Sequence, residues 1–579
     1  MNKIVTAFIL LCFQLGLGQE LKIRYELTDG EETSTYQEVI DFWKQLDKQS
    51  DRIKLSEEGL TDSGYPLHLV LISNSKTFDI QRIKQQNKAV ILVNNGIHPG
   101  EPDGIDASML LARDIADGKV ELLDDVILAV VPVYNIGGFL KRSPDYRVDQ
   151  NGPAEFGSRG NAQNLDLNRD YIKMDSKNAK SFVQIFHELD PDVFIDNHVS
   201  NGADYQHVMT LLSSQSSKIG GEMGEYMNKI FEPGIYRLMK QKGLDLIPYV
   251  NVWGKSPDNG WNEYFDSPRY SSGYGTLWST FCFVPETHML KPYKQRVAAT
   301  YQLMVSFIEF TSENRSEIIR IRKNTRQKEL TASSFPIRWK HDTVHFQNFL
   351  YKGFESGYKK SRVSGIDRLY YDRSKPFEKM IPVYNRYNVE KMVQKPAAYI
   401  IPQGWWKVIE RLQLNGVQMR QLKEDLTLEV EMYSIKDYKS LSNAYESHHL
   451  NYDVEVIKTT KHKNFRKGDW YIPMNQKANR FLVETLEPES MDGYLAWNFF
   501  DGIFQRKEGF SPYVFEDIAA DYLDAHPEVK QKLEEKKKSD PEFATNAYAQ
   551  LYFVYENSPW IEPEFMHYPV YRLMFPLQD

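Results

Sequence analysis

Four short apolar runs constrain this chain more than any other feature: AVILV (Ala89–Val93), VILAVVPV (Val126–Val133), DVFID (Asp192–Asp196) and TFCFV (Thr280–Val284). None alternates apolar with polar residues, so a strand built from any of them is apolar on both faces and needs cover on both. The cover is encoded between them. Ile105, Met109, Ala112 and Ile115 recur at helical spacing before Gly118, and Phe182, Ile185, Phe186 and Leu189 do the same before Asp190-Pro191. Buried strands alternating with amphipathic helices predict an α/β fold with a mixed, mainly parallel sheet flanked by helices.

At 579 residues the chain exceeds one ordinary core, and its texture changes past about Ser312. FPIRWKHDTVHFQNFLYKGFE favours strands and turns, and AAYIIP, the helical Trp405–Leu414 and VQMRQL read as a β-α-β piece. The expected division is a catalytic unit at 19–315 and a β-rich α/β accessory region at 316–579, built as one or two subdomains. Ahead of both, Met1-Asn2-Lys3 carries positive charge, Ile4–Leu17 is largely apolar, and Gly16 and Gly18 frame a cut before Gln19. That is the pattern of a signal peptide over 1–18, implying an extracytoplasmic mature protein, periplasmic or secreted. ILLCF lacks the small residues expected before a lipidated cysteine, so Cys12 does not read as a lipid anchor. No later run is long and apolar enough for a membrane span, and cleavage leaves Cys282 alone, with no intrachain disulfide. A net charge of −8 with intermixed signs argues against nucleic-acid binding.

Catalytic groups of open α/β sheets collect at the carboxyl ends of strands. Three of the four runs lead into a candidate there: NNGIHPGE supplies His98 and Glu101, DNH supplies His198, and PET supplies Glu286. A lone His-x-x-Glu is weak, since 13 histidines make about one such match expected by chance. Its coincidence with a distant histidine and a late glutamate is the informative pattern. Two imidazoles and a carboxylate form a ligand set for catalytic zinc, which polarises a carbonyl and acidifies a bound water. Glu286 then suits the general base. In NLDLNRDY, Asn168 beside Arg169 offers a fork and an amide for a carboxylate, against the plainer alternative of an Arg169–Asp170 ion pair.

HPGE, NLDLNRDY, IDNH and FVPETH, in that order, resemble the zinc carboxypeptidase family, the carboxypeptidase A/B-like funnelins. DSGYPLHLVLIS resembles the family's opening strand, so the likeness spans roughly residues 30 to 310. It implies an eight-stranded mixed sheet, one zinc ion per chain held by His98, Glu101 and His198, Glu286 as base, and Asn168 with Arg169 gripping the free C-terminus of a peptide. It also calls for an oxyanion arginine, Arg147 in preference to Arg142, and a mobile tyrosine, Tyr270 in preference to Tyr274. NIGG at Asn135–Gly138 departs from the family's Asn-Pro-Asp-Gly turn.

The functional expectation is a secreted zinc carboxypeptidase. Its rivals are a zinc amidase or endopeptidase acting on cell-wall peptides or N-acyl amino acids, and a non-catalytic binding protein on the same scaffold. In the second half, Leu482–Gly502 concentrates acids and aromatics; Glu487, Glu489 and Asp492 read as exposed acids on a packed aromatic segment, or as a second site or an addition to the cleft. LEEKKKSD reads as a solvated helix face.

Overall fold

The computed structural model describes residues 21–577; the expected signal peptide and Cys12 lie outside them. The central sheet comprises β1 (Ile53–Leu60), β2 (Pro66–Ile72), β3 (Ala89–Asn94), β4 (Val126–Val131), β5 (Val193–Asp196), β6 (His198–Ser200), β7 (Met209–Ser213) and β8 (Phe281–His288). Their order is β1-β2-β4-β3-β5-β8-β6, with β7 also on β8. β4, β3, β5, β8 and β6 run parallel, and β1, β2 and β7 add antiparallel edges. The four apolar runs all lie in this sheet, three of them at its centre.

Alternation along β3 sorts its side chains to two cores. Ile91 and Val93 pack in one with α1 (Asp103–Ala116) and α3 (Tyr293–Thr331). Val90 and Leu92 face the other, with Phe182, Val183 and Phe186 of α2 (Lys177–Leu189). That second core continues into the C-terminal half through Tyr399, Val408, Phe481 and Trp497. Each such side chain contributes roughly 1.5–3 kcal/mol by leaving water. The boundary expected near 315 falls inside α3, a helix of 39 residues that leads from the sheet into the C-terminal region.

That region is β-rich in its first part. Long hairpins pair Gln347–Lys360 with Asp367–Tyr384 and Leu426–Ser440 with Asn451–Phe465. The expected β-α-β piece is a strand at Ala398–Ile401, a helix at Trp406–Leu414 and a two-residue strand at Arg420–Gln421. The two strands are not neighbours; both pair antiparallel with Trp470–Pro473, which separates them. Pro512–Glu556 is helical, and LEEKKKSD lies on its helix Pro527–Ser539 up to the capping Asp540. Among the described residues no helix is long and apolar enough to cross a membrane. Cys282 is buried and unpaired.

Two histidines of this framework make its stability pH-dependent. His207 donates from Nδ1 to the Asp245 carbonyl (2.9 Å) and accepts the Lys352 N–H at Nε2 (3.1 Å). His288 donates from Nε2 to the Ala203 carbonyl (2.8 Å) and accepts the Leu290 N–H at Nδ1 (3.1 Å). Each ring is therefore held neutral, and burial pushes both pKa values down to about 4. The unfolded chain takes up these protons near pH 6.5, so stability is full above that pH and falls as pH drops toward 4, by up to about 3 kcal/mol per ring. Urea midpoints should fall steadily between pH 7 and 4.5, and less steeply in His207→Gln; a midpoint flat with pH in the parent protein would contradict this.

Candidate active site

The β3 strand ends at Asn94, and the chain turns through Gly96 (φ +65°) into the loop that holds His98 and Glu101, closed by Glu101 N–H donating to the His98 carbonyl at 2.8 Å. Beyond the end of β5, His198 opens β6, in register with Glu286 on β8. The expectation that the fourth run ends before Glu286 needs correction. Strand β8 continues to His288, because β6 and β7 flank it and supply ladder partners past Val284.

His98, Glu101 and His198 are buried, and one side-chain atom from each lies within 4.8 Å of the others. Nδ1 of His98 is 3.2 Å from one Glu101 carboxylate oxygen, and Nδ1 of His198 is 3.1 Å from the other. His98 Nδ1 is buried with only the Glu101 carboxylate beside it, out of hydrogen-bond geometry, a costly state for a polar atom and a natural one for a metal ligand. The far nitrogens face carboxylates, His98 Nε2 at 2.9 Å from Asp166 and His198 Nε2 at 3.3 Å from Asp196. Such outer carboxylates orient histidine ligands and raise their basicity. The donor set fits a divalent cation of the zinc type.

Charges around the cluster set its ionisation. Burial opposes the charged form of Glu101, but His98 and Arg147 beside it hold its carboxyl well below the usual range. Burial likewise opposes charging His198, and Asp196 outweighs it, raising that imidazole well above its ordinary value. Burial pushes Glu286 up to about 8, Glu101 adding to the rise and His198 opposing it. A bound divalent cation would draw all three groups toward their deprotonated forms.

Arg147 donates to Glu101 Oε1 at 2.6 Å and to the Val199 carbonyl at 3.1 Å. Gly100 makes room for it, since a Cβ there would lie 2.7 Å from Arg147 Cδ and 3.1 Å from the Gly157 carbonyl oxygen. Arg142 instead donates to the carbonyls of Thr33, Ser34 and Glu155, away from the cluster. Tyr270 lines the cleft, whereas Tyr274 is buried and bonds Asn415 at 2.7 Å. Asn168 and Arg169 line the same cleft, of about 340 Å³, with His98, His198 and Glu286. Arg169 does not take the plainer ion pair, because Asp170 is held by Lys173 at 2.8 Å. Its guanidinium lies 4.5 Å over the Tyr270 ring. The NIGG departure leaves a tight turn in which Asn135 accepts the Gly138 N–H at 2.9 Å.

Sequence reasoning missed three groups here. Asp166 and Asp196 were visible as the acids of NLDLNR and IDNH, each two or three residues from a candidate. Arg159, 3.7 Å from Glu101 Oε1 and bonded to Asp166 at 2.9 Å, had no motif to mark it. The acids at 487–492 also need correction. Glu487 and Asp492 are buried, not exposed, because Arg572 lies 3.2 Å from Glu487 and Arg269 bonds Asp492 at 2.8 Å; Glu489 pairs with Lys391 at 2.5 Å.

A zinc carboxypeptidase family model, peptidase M14, matches residues 39–217. The chain is 20% identical to Carboxypeptidase 2 of Trichophyton rubrum over 501 residues, covering 81% of this chain and 85% of that protein. It is also 20% identical to Carboxypeptidase 2 of Trichophyton tonsurans over 446 residues, 71% and 74% of the two chains. Among solved structures, carboxypeptidase A from Helicoverpa armigera aligns over 50% of this chain and 74% of its own, with 14% identity and a TM-score of 0.38. A metallo-carboxypeptidase from Burkholderia cenocepacia aligns over 48% and 69%, with 14% identity and a TM-score of 0.36.

Proposed function

From the premise that the chain carries a peptidase M14 zinc carboxypeptidase domain and is a peptidase of the metallocarboxypeptidase kind, we propose that it is an exported zinc enzyme that removes the C-terminal residue of peptides. The observation that carries this reading is one cleft lined by His98, Glu101 and His198, by Glu286, and by Asn168 with Arg169. Zinc bound by the first three, one ion per chain, would polarise the scissile carbonyl and lower the pKa of water. Glu286 takes the proton of the attacking water and passes it to the leaving amine. Arg159, which lines the cleft, and Arg147, paired with Glu101, offset the negative charge that develops on the carbonyl oxygen. The substrate's terminal carboxylate pairs with the Arg169 fork and the Asn168 amide, which sets the scissile bond one residue inward. Tyr270 closes over the terminal residue. Export rests on the N-terminal segment 1–18 alone.

Amidating the substrate's C-terminus tests exopeptidase action directly. The amide removes the charge that Arg169 pairs with, leaving a guanidinium largely shielded from water without its partner, at about 2–4 kcal/mol. That corresponds to roughly 30- to 1000-fold in kcat/KM. Arg169→Ala should erase most of the preference for the free acid. Wild-type enzyme that cuts acid and amide equally, or cuts within long chains, would leave an amidase or endopeptidase in place of a carboxypeptidase.

A further inference from the structure

We propose that Tyr445, contributed by the C-terminal half of the chain, is a positioning residue for the substrate-carboxylate clamp; this rests on the carboxypeptidase reading above. Tyr445 lies in the connection between the strands Leu426–Ser440 and Asn451–Phe465, far in sequence from the cleft. Its hydroxyl accepts a hydrogen bond from Arg169 Nε at 2.8 Å. Arg169 Nη1 donates to the Asn168 carbonyl at 2.8 Å, and the Tyr270 ring lies under the guanidinium. The fork is thus held at Nε, at Nη1 and across its face, while no protein acceptor among the described residues takes Nη2. A five-donor group on a flexible stem gains specificity only when its rotamers are locked by neighbours. Tyr445 supplies the lock at Nε.

The turn that presents Tyr445 is itself built onto the cleft. Tyr445 and His448 exchange backbone hydrogen bonds at 2.7 and 3.0 Å around Glu446 and Ser447, both at positive φ (49° and 66°). Non-glycine residues hold that conformation at a cost of about 1–3 kcal/mol each, so external contacts must support it. They do: Glu446 Oε2 accepts the Asp166 N–H at 2.7 Å, and His448 Nε2 is 2.8 Å from Asp175. Asp166 in turn contacts His98. The acidic aromatic segment 482–502 braces the arrangement. Trp497 stacks 6.3 Å from Tyr445, and Asp492 holds Arg269, whose guanidinium lies over both rings. The second half of the chain therefore reaches the residues that select a free C-terminus.

The test is Tyr445→Phe in the full-length protein, assayed on one N-blocked peptide as free acid and as amide. Phenylalanine keeps the ring and removes only the acceptor. KM for the free acid should rise about tenfold, the loss of one hydrogen bond to a charged group, with kcat moving much less. The acid-to-amide ratio should fall by the same factor. In an Arg169→Ala background the substitution should add nothing, as expected if Tyr445 acts through Arg169. An unchanged KM, an equal loss on acid and amide, or a full additional loss without Arg169 would each overturn the assignment. If the wild type already fails to prefer the acid, the carboxypeptidase reading falls first; if that preference stands and Tyr445→Phe retains it, this inference alone falls.

Discussion

Replacing Glu286 by glutamine should leave zinc bound and reduce kcat by roughly 100-fold or more, the contribution of a positioned general base. Glutamine has nearly the same shape and cannot accept the proton of the attacking water. Glu286 sits on β8 in register with His198, and burial pushes its carboxyl up to about 8, making its carboxylate a stronger base than usual. A base is most useful when its pKa lies near the working pH, and a bound cation would draw this one back toward neutrality from above. Metal content and single-turnover rates measured on the same preparation separate the two contributions. A variant with normal kcat and a raised KM would make Glu286 a binding group.

His198→Ala and His98→Ala should go further, removing both the metal and turnover. Each deletes one of the three proposed ligands, and what remains is a carboxylate and a single imidazole beside Arg147. The outer carboxylates provide a graded comparison. Asp166→Asn or Asp196→Asn leaves the ligand set intact but loosens one ring, at roughly 10- to 100-fold in metal affinity or activity, so a ligand deletion should exceed that range. Zinc per chain by elemental analysis, with thermal unfolding to confirm that the fold persists, decides the matter. Full metal content and activity in either alanine variant would place the centre elsewhere.

The residues that are legible in one dimension share a physical reason. A buried parallel strand must be apolar throughout, and the residue that leaves its carboxyl end is free to be polar and faces the crevice. This is why AVILV and DVFID announced both the sheet and the positions of His98 and His198. Arg169 stood out through NLDLNRDY, the stretch that resembles the family motif; it lines the cleft beside Asn168, and Lys173 claims the neighbouring Asp170.

Other features were decided only in three dimensions. The contact of Arg147 with Glu101 passes Gly100, where a Cβ would crowd the arginine side chain, and no local pattern marks a glycine for that purpose. Glu487 and Asp492 looked solvent-exposed because their partners Arg572 and Arg269 lie 85 and 223 residues away, and a long-range ion pair leaves no periodicity. The contact of Tyr445 with Arg169 spans 276 residues. Local sequence determined the buried strands, the helices that cover them and the chemistry at their ends, because these follow from hydrophobic period and from residue type. Tertiary structure alone decided that the C-terminal half shares the sheet's core and presents a turn to its cleft, because which surfaces meet depends on packing between elements and not on the pattern within any one of them.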